Sequence, residues 1–541
     1  MPDGRSGPNR RRAGVTEIDA GLVRRWVRGA TDALRRERAA LDRVNVFPVA
    51  DADTGTNLYL TLREGEHAVR AAPDDATGVE LLAAAARAAL LGARGNSGVI
   101  LSEWLRGTAL EARRGATAAT ILEEAARSAR AAVASPADGT ILTAADAAAT
   151  AGRAAEDAGG GPGAVARAAV GAAREAARTS MTEHPVLAAA GVLDAGACGL
   201  VLVLGAFVAA AVSDSPGTME RVSLDLIVRP GRGAAYVPPE PVSPDASALT
   251  GPGGLELMFV LTRGAAGAEH VAPRLRSRLE EIGDSVVVVG GDTGAETAVW
   301  QAHVHTDRLP DALDVAAGIA GTGTLAQVHV RHLEAADPHE WGVVALTGAP
   351  ALAADLAHAG AVVLLTGGFG ATVDTVTPDD VQRAAASTGA RRALLLGDTA
   401  GASLDGDPGP GRGGGDLDEI IVLDAPTDVH VVVALAALGT APGGVTPREA
   451  AESALAGLRV ARPVDAGEAG QALARLVGPA DAARRPEVVT ALLDDDAAPV
   501  ADELAAAVTR VAPAAELVAL PTGRPGRTVH LGVETAPREG V

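Results

Sequence analysis

From residue 16 to 213, apolar positions recur every three or four residues, the spacing of one buried helix face. Ile18, Leu22, Val23, Trp26, Val27, Ala30 and Leu34 open the series, with Thr16 and Asp19 as a capping signal ahead of it. Segments 80–91, 118–133, 144–156 and 164–178 continue it. No alternating stretch interrupts before residue 222, so an all-α domain of about eight helices is expected over 16–213. The most apolar stretch, 190–212, contains Asp194 and several glycines and reads as a core helix, not a membrane span. Residues 214–252 are punctuated by Pro, Gly and Ser, the composition of a linker, with one short strand expected at 222–228.

The pattern then changes period. Apolar runs at 255–261, 285–289, 298–305 and 325–332 flank helical segments at 273–282 and 312–319. That order, strand-helix-strand-strand-helix-strand, is the ferredoxin-like split βαβ arrangement, an α+β middle domain over 253–335. Beyond it, runs at 343–346, 361–365, 393–396 and 420–423 alternate with helical stretches and predict a parallel α/β domain over 336–541. A Gly/Pro/Asp loop is expected at 403–416, and a further βαβ-like pattern from Pro486 ends at 529–533. The chain reads as multidomain, with residues 1–15 an Arg-rich tail without order.

Composition narrows the function classes. A chain of 541 residues is too long for one core. Aromatics make up only 2% of it, so its cores must be built from Ala, Val and Leu. A net charge of −21 disfavours nucleic acid, whose phosphates need a basic surface, and disfavours stable insertion at an anionic membrane. The single cysteine, Cys198, cannot form an intrachain disulfide and fits a reducing cytoplasm; a small buried residue is the better reading of it than a nucleophile. The chain contains no lysine, so all 47 basic residues are arginine. That excludes a Walker A loop, the strand lysine of protein kinases and Schiff-base chemistry. Phosphoryl chemistry here must rely on metal ions, backbone N–H groups, helix N-termini and arginine.

Three motifs suit that chemistry. The first is Asn45-Val-Phe-Pro-Val-Ala-Asp51-Ala-Asp53-Thr54-Gly55-Thr56-Asn57. Two carboxylates two residues apart, followed by small residues with exposed amides, suit magnesium bridging to nucleotide phosphates. The second is Gly95-Asn96-Ser97-Gly98, where a helix start would offer N–H groups to an anion. The third is Asp194-Ala195-Gly196. Asp194 has a rival role as a simple helix cap, and Asn45 a rival role as a turn cap. Arg94 and Arg106 could stabilise phosphate charge or form ion pairs. Gly367-Gly368-Phe369-Gly370 looks like a phosphate-binding turn, but a structural loop is the better reading.

On NVFPVADADTGTN, GARGNSGVILSEWLRG (92–107), GTILTAADAA (139–148), AGVLDAGACGL (190–200) and GDSVVVVGG with HVHTD (283–307), the chain resembles the catalytic subunit of bacterial fatty acid kinase. Its first ~200 residues resemble the nucleotide-binding L-subunit of dihydroxyacetone kinases, a helical barrel. The resemblance implies Asp51 and Asp53 as ligands of two magnesium ions, with Asn45 as a third-position candidate. It implies ATP contacts from Thr54, Gly55, Thr56, Asn57, Asn96, Ser97, Gly98, Asp194, Ala195 and Gly196. The family usually has Pro-Asp-Gly-Asp where this chain has Ala50-Asp51-Ala52-Asp53. It implies phosphorylation of a fatty acid carboxylate presented by a separate DegV-like lipid-binding protein, giving an acyl phosphate, and allows for a homodimer. A triose kinase of the dihydroxyacetone type and a non-catalytic nucleotide-binding scaffold are the alternatives. His303 and His305 share one strand face and could bind zinc with a third ligand. The family's zinc type adds a Cys on the first strand of this domain, where this chain has Glu256; a polar pair used for domain contacts is therefore the favoured reading.

Overall fold

The computed structural model describes residues 18–47, 52–212, 254–292, 296–333, 340–399, 417–441, 444–478 and 485–535. The tail 1–15, Thr16, Asp51, the linker with its expected strand and the loop 403–416 lie outside the described residues. The chain forms two compact units, Met1–Leu249 and Thr250–Val541.

All regular elements described in the first unit are helices: α1 Ala20–Arg43, α2 Thr54–Ala71, α3 Gly78–Leu91, α4 Gly95–Arg113, α5 Ala118–Ala132, α6 Ile141–Asp157, α7 Pro162–Glu183, α8 Pro185–Ala190 and α9 Ala195–Val212. Their starts follow from local chemistry. Asp19 caps α1 by accepting the Leu22 amide at 2.8 Å, and Thr77 with Glu80 forms a capping box on α3. The core is Ala- and Leu-rich, and the few aromatics concentrate in it. Trp26 packs edge-on to Trp104 and Phe207 at 6.5 and 5.2 Å, and its ring N–H donates to Val203 O on α9. Helix α9 has a mean hydropathy of 2.4 and is the one helix among the described residues long and apolar enough to cross a membrane. It packs against α1 and α7, and 67% of it is buried within the bundle, as a core helix would be.

The second unit opens with β1 Leu255–Gly264, α10 Val271–Glu280, β2 Asp284–Asp292, β3 Thr297–Thr306, α11 Leu309–Ala320 and β4 Thr324–His332. These strands pair antiparallel in the order β2-β3-β1-β4, the split βαβ order. Next come β5 Trp341–Thr347, α12 Pro350–His358, β6 Val362–Leu365, β7 Thr372–Val373, α13 Pro378–Ser387, β8 Arg392–Leu396 and β9 Glu419–Val422. Strands β6, β5, β8 and β9 are parallel neighbours.

The expected division at residue 335 is not a sheet boundary. The outer edge of β4 pairs antiparallel with β6 through His329–Leu364 and Val330–Val363, so one nine-stranded sheet spans both segments. Pairing satisfies an edge that would otherwise expose a row of N–H and C=O groups. After α14 Asp428–Gly439, α15 Pro447–Gly457 and α16 Ala469–Val477, a second sheet joins β10 Leu458–Val460, β11 Val464–Asp465, β12 Pro486–Leu493, β13 Glu516–Pro521 and β14 Thr528–Thr535, with α17 Ala501–Val511 between the parallel β12 and β13. The Gly367–Gly370 turn is structural: a Cβ at Gly368 would stand 2.1 Å from Gly348 O, so glycine lets it lie against the end of β5.

Candidate active site

Four helix N-termini meet at one end of the first unit. Thr54 at the start of α2 and Ser97 in the first turn of α4 touch hydroxyl to hydroxyl at 3.2 Å. Gly95 starts α4 at φ +50°, and a Cβ there would stand 2.3 Å from Asn57 Nδ2. The Arg94 amide donates to Thr61 Oγ1 at 3.0 Å, tying the same two helices one turn deeper. Gly199 of α9 lies against Leu58 of α2, where a Cβ would stand 2.3 Å from Leu58 Cδ1. Gly196 lies against Ile141, the first residue of α6, and Asp194 accepts the Ile141 amide. The first two turns of α2, α4, α6 and α9 therefore cluster, and their unpaired N–H groups and positive dipole ends favour an anion there.

The loop after α1 closes the same end. Val44, Val46 and Phe47 pack on Leu187, Val192 and Ala195, fixing it against α8 and the start of α9. Phe47 also stacks on His184 at 4.2 Å. Asn45 is buried here, and its amide donates to Asp42 O. Asp53, half-buried, is the N-cap residue of α2. Asn96 Oδ1 is buried without a hydrogen-bond partner among the described residues, an acceptor suited to a bound donor. Ala52 sits at φ +53°, where the family's usual glycine would be at ease; the alanine costs about 1–2 kcal/mol. The sequence thus brings Asn45, Asp53–Asn57, Asn96–Gly98 and Asp194–Gly196 to one place, and Asp51 lies outside the described residues. Arg106 is paired with Glu103, and Arg94 is buried at the N-cap of α4.

Asp42, in the last turn of α1, belongs to this site and no motif contains it. Its Oδ1 accepts the Thr56 amide at 2.9 Å and its Oδ2 the Thr56 hydroxyl at 2.8 Å. Burial pushes its carboxyl up to about 6, against those two bonds, and the charge of Asp53 adds to the rise. One signal was readable: an acid in a helix's last turn opposes the macrodipole, so it needs another purpose.

Asp194 combines both roles open to it. It caps α9 by accepting the Ala197 amide at 2.6 Å, and it lies at the convergence of the four helices. Complete burial pushes its carboxyl up to about 7, outweighing the amides of Ala197 and Ile141. The native state therefore holds a proton between 3.8 and about 7 that the unfolded chain has released. With more protons bound in the native state, stability falls as pH rises through that window. Asp42 adds a smaller effect of the same sign up to about 6. Urea unfolding from pH 4 to 8 should show wild type losing roughly 2–4 kcal/mol relative to Asp194→Asn. A constant difference, or one that grows in favour of wild type, would contradict this protonation state. Cys198 is buried, its thiol pushed up by burial and by the Asp194 charge, which leaves it a packing residue.

A second cluster lies on one face of the β1-β3-β4 sheet. Register places Glu256 opposite both His305 and Arg331, and Met258 opposite both His303 and His329. One ligand atom from each of Glu256, His303 and His305 falls within a 4.8 Å span, and all three residues are buried. Burial holds both imidazoles down at about 4, hence neutral, and neither His303 nitrogen has a hydrogen-bond partner among the described residues. Burial would raise the Glu256 carboxyl, but Arg331, His303 and His329 outweigh it and hold it well below its ordinary range. The Arg331 guanidinium sits 2.7 Å from Glu256 Oε2, where it already supplies the positive charge a metal would bring.

Comparison with known proteins gives two domain matches. Residues 48–209 match the DAK2 domain, and residues 253–339 match the FakA-like middle domain of fatty acid kinase. Protein YloV of Bacillus subtilis is 28% identical over 56% of this chain and 54% of its own length. Uncharacterized protein SSP1546 of Staphylococcus saprophyticus is 35% identical over 36% of each chain. The chain thus spans about half the length of the first relative and about a third of the second. The dihydroxyacetone kinase of C. freundii, solved with AMP-PNP and Mg2+, aligns over 38% of this chain and 37% of its own at 20% identity and a TM-score of 0.29. With a DAK2 domain followed by a FakA-like middle domain, the chain belongs to the fatty acid kinase catalytic subunit family.

Proposed function

We propose that the chain is an ATP-dependent phosphotransferase that phosphorylates the carboxylate of a fatty acid presented by a separate DegV-like lipid-binding protein, giving an acyl phosphate. The observation that carries the proposal is the meeting of four helix N-termini beside Asp53, Asn45 and the Asp51 position. In a chain without lysine, such a site can hold a triphosphate through backbone N–H groups. Asp51 and Asp53, with Asn45, would hold two magnesium ions. Magnesium, when bound, would neutralise charge on the β/γ-phosphate oxygens.

The remaining roles belong to the protein. Thr54, Gly55, Thr56 and Asn57 cradle phosphates by backbone and side chain, and Asn96, Ser97 and Gly98 meet the nucleotide from α4. Ala195 and Gly196 offer amides at the start of α9 while Asp194 fixes that start. A carboxylate acceptor is already deprotonated at neutral pH, so no general base is required, and positioning with electrostatics suffices. The middle-domain match supports a fatty acid over a triose.

The second unit would dock the lipid carrier, a second copy of the chain, or both, and the cytoplasm is the fitting location. Its Glu256–Arg331 cluster is read as an ion-paired polar face that works without zinc. One zinc per chain in purified protein would contradict that reading. The functional proposal is tested with labelled γ-phosphate ATP, magnesium and a fatty acid, with and without a lipid-binding carrier. Label is expected in acyl phosphate only when the carrier is present. Transfer to dihydroxyacetone but not to carrier-bound fatty acid would overturn the acceptor assignment.

A further inference from the structure

Helix α2 is not capped by its own N-cap residue. Thr54, Gly55 and Thr56 are its first three residues, and the Asp53 side chain makes no capping bond to them. An N-cap carboxylate ordinarily accepts the second or third amide of its helix. Here the third amide, that of Thr56, is already taken by Asp42 of α1, which also holds the Thr56 hydroxyl. The clamp needs Gly55, because a Cβ there would stand 2.9 Å from Asp42 Oδ1 and 2.3 Å from Arg38 O. Asp42 thus reaches across from a neighbouring helix and does the work that Asp53 would otherwise do.

We propose that Asp42 is a positioning residue for the phosphoryl-transfer site: by capping α2 from α1, it keeps the Asp53 carboxylate off the helix end and available to a divalent cation. This rests on the reading of Asp53 as a magnesium ligand. When Asp42 is truncated, the Thr56 amide loses its acceptor, and the residue placed to replace it is Asp53. A carboxylate turned back onto its own helix is a poorer metal ligand, because one lone pair and its orientation are committed to the amide. Supporting partners of metal ligands are worth about 10–100-fold in metal affinity, well beyond the effect of an ordinary surface cap.

The test compares Asp42→Ala, Asp42→Asn and Asp53→Ala in the full chain. Magnesium is titrated at fixed ATP, with ATP turnover and calorimetry as readouts, and thermal unfolding is followed in parallel. Asparagine retains an oxygen for the Thr56 amide and ranks with aspartate as a cap. Asp42→Asn should therefore keep the magnesium requirement within roughly threefold of wild type. Asp42→Ala should raise it by about 10-fold or more, with kcat at saturating magnesium largely retained. A purely structural role would lower the melting temperature without moving the magnesium requirement. If Asp42→Ala does not fold, Asp42→Ser provides a truncation that keeps a polar group but is too short for both bonds.

An unchanged magnesium requirement in the truncation, alongside its loss in Asp53→Ala, overturns the positioning role and leaves the metal assignment standing. Equal damage from Asn and Ala also overturns it, because charge rather than capping would then be at work. An unchanged requirement in Asp53→Ala overturns the metal assignment itself, and the proposal with it.

Discussion

Asp53→Ala, and separately Asp51→Ala, should reduce phosphoryl transfer by at least about 10³-fold while leaving the helical unit folded. Asp53 is half-buried at the start of α2, beside Asn45 and the amides of the converging helices. Asp51 is placed with it by the two-residue spacing of the motif. Neither is expected to carry much stability. Asp53 makes no capping bond, so its truncation costs α2 little of the ~1 kcal/mol that a lost cap would. The phosphate charge has no lysine to meet it, so a lost metal ligand has no substitute within the motifs. Turnover at saturating magnesium and ATP, with thermal unfolding as the control for folding, measures the effect. Near wild-type turnover in both variants would refute the metal assignment.

Gly55→Ala should be the most damaging single-methyl change in the motif. Alanine is the better helix former by about 1 kcal/mol, so helix propensity alone would make the change stabilising. Space decides against it. The added Cβ would stand 2.3 Å from Arg38 O and 2.7 Å from Leu41 Cβ, and a backbone oxygen inside a helix cannot step aside. Overpacking of this kind costs about 1–3 kcal/mol, which exceeds the propensity gain. Relief requires α2 to move away from α1, which also breaks the Asp42 clamp and shifts Asp53 and Thr54. A displacement of about 1 Å at a reacting centre costs on the order of 10²-fold in rate. Thermal unfolding and turnover should therefore both fall. A stabilised variant with full activity would show that the two helices do not need this close approach.

Much of the site was legible because its chemistry is local. Thr54 to Asn57 and Asn96 to Gly98 are contiguous runs of small polar residues at helix starts, and helix starts are marked by the onset of a 3.6-residue period. The helices themselves were legible for the same reason, and so was the burial of 190–212, since Asp194 and its glycines do not suit a lipid-facing helix. What stayed hidden is set by distance in the chain. Asp42 looks like any polar residue near a helix end until α1 and α2 are seen side by side. Arg331 lies 75 residues from Glu256, and only strand register puts the two opposite each other. The continuous sheet from β2 to β9 was hidden because periodicity identifies strands but not which edges they share. The Thr16 capping signal proved less informative than Asp19, which caps α1 directly.

Calorimetric titration of ATP into the full chain, with magnesium and again in EDTA, tests the site most directly. Binding with magnesium, its loss in EDTA and its loss in Asp53→Ala are the expected results. Equal affinity with and without magnesium, or unaltered magnesium-dependent binding in Asp53→Ala, would contradict a metal-bridged nucleotide at the four helix N-termini.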